Sequence, residues 1–151
     1  MTAGIRPPHL RGAAIALVAL GGTVGVAARE ALTLIVPSLG ALPVAIALVN
    51  LLGAFLLGLL YEALTRADPA RSTARTLRLL LGTGFCGGFT TYSALAVDTA
   101  LLLGDGKAVT AVGYALGTVL LGACATWGGI AAGHAIATRM PQTPAQKGAT
   151  S

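Results

Sequence analysis

Residues 84–94 read GFCGGFTTYSA: three glycines, then Thr90, Thr91 and Ser93 in close order. The stretch is set between Leu79-Leu80-Leu81 and Leu95-Ala96-Val97. Glycine is poorer than alanine in a helix interior by about 1 kcal/mol per residue. An apolar run that interrupts itself in this way predicts a broken helix, with backbone carbonyls exposed and hydroxyls turned into the gap. At membrane depth such backbone is tolerated only where protein buries it or a cavity takes it in. The competing reading is a glycine-rich packing face whose hydroxyls bond their own helix. It explains the glycines better than the run of hydroxyls at their foot.

The rest of the chain places this stretch in lipid. Of 151 residues, 55% are hydrophobic and 10% charged, and the mean hydropathy is +0.81. A soluble domain carries roughly a quarter charged residues, so this charge cannot cover a water-exposed surface. Crossing a hydrocarbon core takes about 20 residues, and four runs qualify: 13–36, 41–61, 77–103 and 108–138. The expected fold is an all-α membrane protein of four transmembrane helices, the third broken near mid-span, with polar tails at 1–12 and 139–151. The first run is longer than the roughly 7–15 apolar residues of a signal peptide and leads into Arg29-Glu30, so it is read as a retained span. The length leaves no room for a soluble catalytic domain. The spans show no nucleophile–base pair or metal-ligand cluster, so the expected protein is not an enzyme. Cys86 and Cys124 both fall within spans and read as small apolar fillers.

Pro37 and Pro43 bracket one short connection, residues 62–76 form the longest polar loop, and residues 104–107 make a tight turn. Four spans in up-down-up-down order put both termini and the 62–78 loop on one side. That side carries eight basic residues: Arg6, Arg11, Arg66, Arg71, Arg75, Arg78, Arg139 and Lys147. The other has Lys107 and at most Arg29. The positive-inside rule then places both termini in the cytoplasm, and the chain in a cytoplasmic (inner) membrane. The net charge of +5 reads as a topology signal, with no nucleic-acid partner.

Within the spans, Gly21 and Gly25 form a small-xxx-small face that lets another helix approach closely. Arg29 follows one turn later, and either snorkels, pairs with Glu30 or attracts an anion. Asn50 sits mid-span and serves either as helix–helix glue or as a source of two N–H donors for a dehydrated anion. In the fourth span Tyr114, Thr118, Gly122 and Thr126 recur every four residues, along one slowly drifting face. That is a candidate polar track, although threonines in spans often bond their own backbone.

Three motifs occur in order, one per span: GGTVGVAAR (21–29), VNLLGAF (49–55) and GFCGGFTTYSA (84–94). Together they resemble the Fluc (CrcB) family of small fluoride channels, over roughly residues 15–135. The resemblance implies a subunit of an antiparallel dimer, with two narrow fluoride pores at the interface around a structural sodium ion. It matches Asn50 to a fluoride donor, and Gly87 and Thr90 to residues whose carbonyls hold the sodium. Thr91 and Ser93 match hydroxyls near the ion path, Tyr114 and Thr118 the start of a polar track, and Arg29 a vestibule arginine. It further implies passive export of cytoplasmic fluoride, which relieves its toxicity. No acidic residue lies at mid-span to couple protons. Fluoride is small and strongly hydrated, so fixed donors in a narrow pore must replace its water, and a central cation offsets the penalty of an anion at mid-membrane.

The sequence departs from the family's pattern at several positions. The usual third motif runs TTFSTF, whereas here it is Thr90-Thr91-Tyr92-Ser93-Ala94-Leu95. Tyr92 keeps an aromatic edge on the pathway, but Leu95 has none. Gly122 stands where a hydroxyl is expected, and Asp98 where a glutamate is. A homodimer of antiparallel copies needs one sequence to insert both ways, and eight basic residues against two argue for one orientation. The expected partner is therefore an oppositely oriented homologue, otherwise a second copy of the chain. Two alternatives remain. One is a four-span proton-coupled drug antiporter, which needs an embedded carboxylate, yet Glu30, Glu62 and Asp98 all lie near span ends. The other is a non-conducting assembly subunit in which every polar group is glue.

Overall fold

The computed structural model describes residues 12–40, 42–65 and 72–139. Arg6, Arg11, Arg66, Arg71 and Lys147 of the proposed basic side, and most of both tails, lie outside the described residues. In chain order the helices are α1 (Gly12–Ile35), α2 (Val44–Thr65), α3 (Ser72–Leu77), a π-helical segment (Arg78–Cys86), α4 (Gly87–Phe89), α5 (Tyr92–Gly104) and α6 (Ala108–Arg139). The lone β-type pairing among the described residues is the bridge between Leu39 and Leu42 in the α1–α2 connection. Lipid offers no hydrogen bonds, so backbone groups must be satisfied within each segment, and helices do this.

Four helical stretches are long and apolar enough to cross a membrane: Gly12–Ile35, Val44–Thr65, Thr73–Gly104 and Ala108–Thr138. The chain is a multi-pass membrane protein. Its outer surface agrees, since Leu34, Val109 and Trp127 stand 78–90% exposed, an arrangement that suits an apolar surrounding and not water. The few buried apolar residues include one cluster, Leu95, Leu102, Ala111 and Tyr114, with Ile46 and Ala47 packed on it.

Two tight crossings hold the spans together, and glycine permits both. On one side Gly21 and Gly25 of α1 face the third span. A Cβ at Gly21 would strike the Leu80 carbonyl, and one at Gly25 the Phe85 carbonyl. The expected small-residue face of α1 is thus used inside the protomer. On the other side Gly58 of α2 abuts the Thr126 carbonyl, and Gly129 of α6 abuts that of Phe55. The turn into α6 is a Schellman motif: Gly106 takes φ +73°, Gly106 N–H donates to Leu103 (3.0 Å), and Lys107 N–H donates to Leu102 (2.9 Å).

The third span is broken as expected, but not by its glycines. Gly84 lies in the π-helical segment, and Gly87 and Gly88 in α4. The backbone leaves the helix at Thr90 (ψ 154°) and Thr91 (φ −148°, ψ 118°). Gly84 and Gly88 serve packing instead: a Cβ on Gly84 would meet the Val18 carbonyl at 2.9 Å, and one on Gly88 the Gly22 carbonyl. The packing-face reading therefore accounts for these two. Gly87 is different, with nothing within 4 Å of its ideal Cβ.

Candidate functional site

Asn50 holds the break in place. Its Nδ2 donates to the Thr91 carbonyl at 3.0 Å, and the Thr91 N–H donates to its Oδ1 at 2.8 Å. This two-point clamp replaces the helical bond that Thr91 N–H would otherwise make to the Gly87 carbonyl, four residues back. Gly53, three residues after Asn50 and so on the same face, makes room beside it. A Cβ there would collide with Cγ2 of Thr90. The VNLLGAF motif is thus a cradle for the break, and Asn50 joins α2 to the third span through both atoms of its amide. One Nδ2–H remains without a partner among the described residues.

The break leaves two opposed helix ends. Thr90 N–H and Thr90 Oγ1 both donate to the Cys86 carbonyl, at 2.9 Å and 2.8 Å. Among the described residues, the carbonyls of Gly87, Gly88, Phe89 and Thr90 accept no backbone bond. They form the partially negative end of a helix, a place for a cation. Opposite them α5 begins. Thr91 is its N-cap, with Oγ1 accepting from Ala94 N–H at 3.2 Å and lying 3.2 Å from Ser93 Oγ. Two hydroxyls sharing one hydrogen bond leave one proton over. The N–H groups of Tyr92 and Ser93 also find no partner among the described residues, so this end of α5 is partially positive and rich in donors.

An open cavity of about 250 Å³ sits at this junction, lined by Asn50, Thr90, Thr91, Tyr92, Leu95, Thr118, Val119 and Gly122. It gathers most of the residues singled out from the sequence. Ser93 reaches it only through Thr91. Tyr92 projects from the protomer, 80% exposed, while Leu95 is buried and apolar. Gly122 contributes bare backbone, with nothing within 4 Å of an added Cβ.

Three residues fall elsewhere. Tyr114 lines a neighbouring groove with Gly113 and Gly117, and its hydroxyl lies 3.2 Å from Asp98 Oδ2 and 3.3 Å from the Pro43 carbonyl. Its proton is held there, away from the cavity. Gly87 contributes a carbonyl at the break but no wall of the cavity. Arg29 does not line the cavity either. It is half-buried and forms no ion pair with Glu30 or any other described residue. The contacts of Gly21 with Leu80 and Gly25 with Phe89, carried on one turn, bring Arg29 level with the break. In the fourth span Thr118 Oγ1 donates to the Tyr114 carbonyl at 2.7 Å and Thr126 Oγ1 to that of Gly122 at 3.0 Å. These hydroxyls spend their protons on their own helix and keep only oxygen lone pairs to offer. In the sequence the only signal for the role of Gly53 is its spacing of three residues from Asn50.

The sequence profile of the family described as "CrcB-like protein, Camphor Resistance (CrcB)" matches residues 16–130. The chain is similar to the fluoride-specific ion channel FluC 2 of Leifsonia xyli subsp. xyli, at 43% identity over 133 residues, covering 88% of this chain and 92% of that protein. It is similar to the fluoride-specific ion channel FluC of Gloeobacter violaceus, at 43% identity over 125 residues, covering 80% and 95%. Similarity to the FluC 3 protein of Streptomyces avermitilis is 39% over 141 residues, covering 93% and 68%.

Proposed function

This chain belongs to the CrcB family, and on that premise we propose that it is one subunit of a passive, fluoride-selective channel through which cytoplasmic fluoride leaves the cell. The carrying observation is the cavity at the Thr90–Thr91 break, where unspent donors converge at membrane depth. An anion small enough to enter exchanges its water for the spare Nδ2–H of Asn50, the leftover hydroxyl proton of Thr91 and Ser93, and the first N–H groups of α5. The ring edge of Tyr92 adds positive quadrupole density. Thr118 supplies its oxygen rather than a proton, and Leu95 an apolar wall. Tyr114, bonded to Asp98, shapes the cavity's neighbourhood, and Arg29 raises the local anion concentration at the level of the break. Selection against chloride follows from fixed donors in a confined space. No step makes or breaks a covalent bond, so the reading is transport without catalysis.

The cavity opens on the outside of the protomer. Asparagine, hydroxyl and free backbone groups cannot face lipid without a penalty, so a second chain must close it. The antiparallel arrangement follows from the family resemblance. The released carbonyls fit a structural sodium: all-oxygen donors suit a hard cation, they sit at a helix C-terminal end, and the open face of Gly87 puts no side chain in the way. The carbonyls of Gly87 and Thr90 would hold it, and a second chain would complete the shell. When bound, such an ion supplies fixed positive charge near the anion path. The Lys/Arg bias favours both termini on the cytoplasmic side of the inner membrane, and a partner that is an oppositely oriented homologue.

The test is efflux from liposomes holding the purified chain alone, followed with a fluoride electrode against a chloride control. Fluoride-selective efflux from the chain alone supports the channel and refutes the need for a homologue. Efflux only after a homologue is added supports both. Silence in both preparations overturns the channel reading and leaves an assembly subunit.

A further inference from the structure

Away from the break, α2 and the π-helical segment touch where Leu60 passes Gly82. Two largely apolar furrows of about 380 and 350 Å³ lie along this contact and share Leu60. The one farther from Arg78 runs past Leu81 to Phe85. The outer one is walled by Leu57, Leu60 and Leu64 over Gly82, and ends at Tyr61 and Arg78. Gly82 keeps it open, since an added Cβ would meet only Leu60 Cδ2, at 3.5 Å. Along α2, from Leu57 to Leu64, the outer furrow extends about 10 Å, most of the ~15 Å depth of one leaflet's hydrocarbon.

The mouth is chemically distinct from the floor. Arg78 is exposed and makes no ion pair or hydrogen bond among the described residues. Tyr61 is 65% exposed and its hydroxyl is likewise unbonded there. Arg75, one turn before Arg78, is exposed too. Thr65 contributes no donor, because its hydroxyl is given to the Glu62 carbonyl at 2.9 Å. A guanidinium and a phenol at the end of an acyl-sized furrow are the donor set for a phosphate at the headgroup level. A zwitterionic headgroup would bring its own cation against Arg75 and Arg78, whereas an anionic one would not.

We infer that this groove holds one anionic phospholipid, its phosphate on Arg78 and Tyr61 and one acyl chain laid over Gly82 between Leu57, Leu60 and Leu64. The lipid bridges α2 and the third span on the side that carries the 62–78 loop. The site is independent of the ion pathway, so its loss need not alter fluoride selectivity.

Native mass spectrometry of the full chain in mild detergent tests this, with phosphatidylglycerol and phosphatidylcholine of identical acyl chains supplied in equal amounts. The expected result is one phosphatidylglycerol retained per chain, favoured about fivefold, the discrimination of a single surface arginine. Arg78→Gln, a change at an exposed tip, should abolish the preference. Gly82→Leu should abolish retention of both lipids, and Tyr61→Phe should weaken retention without touching the fold. Equal retention of the two lipids, or an unchanged preference in Arg78→Gln, overturns the proposal. So does a Leu57→Cys variant that cross-links to a second copy while no lipid is retained, because the furrow is then an interface.

Discussion

Replacing Asn50 by alanine removes both bonds that clamp the break, the 3.0 Å donation to Thr91 C=O and the 2.8 Å acceptance from Thr91 N–H. Polar bonds between membrane helices contribute on average about 0.6 kcal/mol each and at most about 1.7. The fold should therefore lose about 1–3 kcal/mol, which a multi-span protein survives. The effect on conduction should be larger. Thr91 N–H, freed from Oδ1, is drawn back to the Gly87 carbonyl, so the break closes by one helical bond and one released carbonyl is consumed. The pathway also loses the spare Nδ2–H. A hydrogen bond to a charged partner contributes about 1.5–3 kcal/mol, and about 1.4 kcal/mol is a factor of ten, so fluoride efflux should fall roughly ten- to a hundredfold. The assay is liposome efflux at matched protein content, with size-exclusion profiles to establish that the variant assembles as the parent does. An assembled Asn50→Ala protein that still releases fluoride within about twofold of the parent would refute the reasoning.

Other expectations follow from the same geometry. Gly53→Ala should displace Thr90 and depress efflux, and adding Thr90→Ser, which removes the colliding methyl, should restore it; a double-mutant cycle in the efflux assay measures this coupling. Gly25→Ala drives a methyl into the Phe85 carbonyl and should lower thermal stability by about 1–3 kcal/mol. By contrast Gly113→Ala and Gly117→Ala, which meet nothing within the protomer, should raise protomer stability by up to about 1 kcal/mol each, and any weakening of subunit association in these variants would report on the proposed covering chain. Thr118→Val should reduce efflux less than about threefold, because its proton is already given to the Tyr114 carbonyl. Thr91→Val, which removes the N-cap of α5, should cost about 0.5–2 kcal/mol of stability and a larger share of efflux.

Some features were legible before any coordinates because lipid enforces them locally. Four spans follow from run length and missing charge, since a chain in hydrocarbon has few alternatives to the helix. The Gly21/Gly25 face was readable from spacing alone, because four residues return to the same side of a helix. The dense hydroxyls after Gly88 marked the third span as interrupted. Sequence could not say which carbonyls the interruption would release, nor that Gly84 and Gly88 would remain helical and pack on α1. A glycine that breaks a helix and one that admits a neighbouring helix are the same residue in the same kind of run, and only the neighbour's position separates them.

By itself, then, the sequence determined the number of spans, the membrane setting, the family and the shortlist of polar residues, all properties of composition and local period. Tertiary structure alone decided how those polar groups are spent. Asn50 lies 41 residues from Thr91, and no local rule could show that its amide outcompetes the Gly87 carbonyl for the Thr91 N–H. Tyr114 and Thr118 share one stripe, yet the proximity of Asp98 turns one hydroxyl aside, and the helix's own carbonyl takes the other. Each donor has only so many protons, and their allocation depends on which acceptors the packed helices bring within about 3 Å.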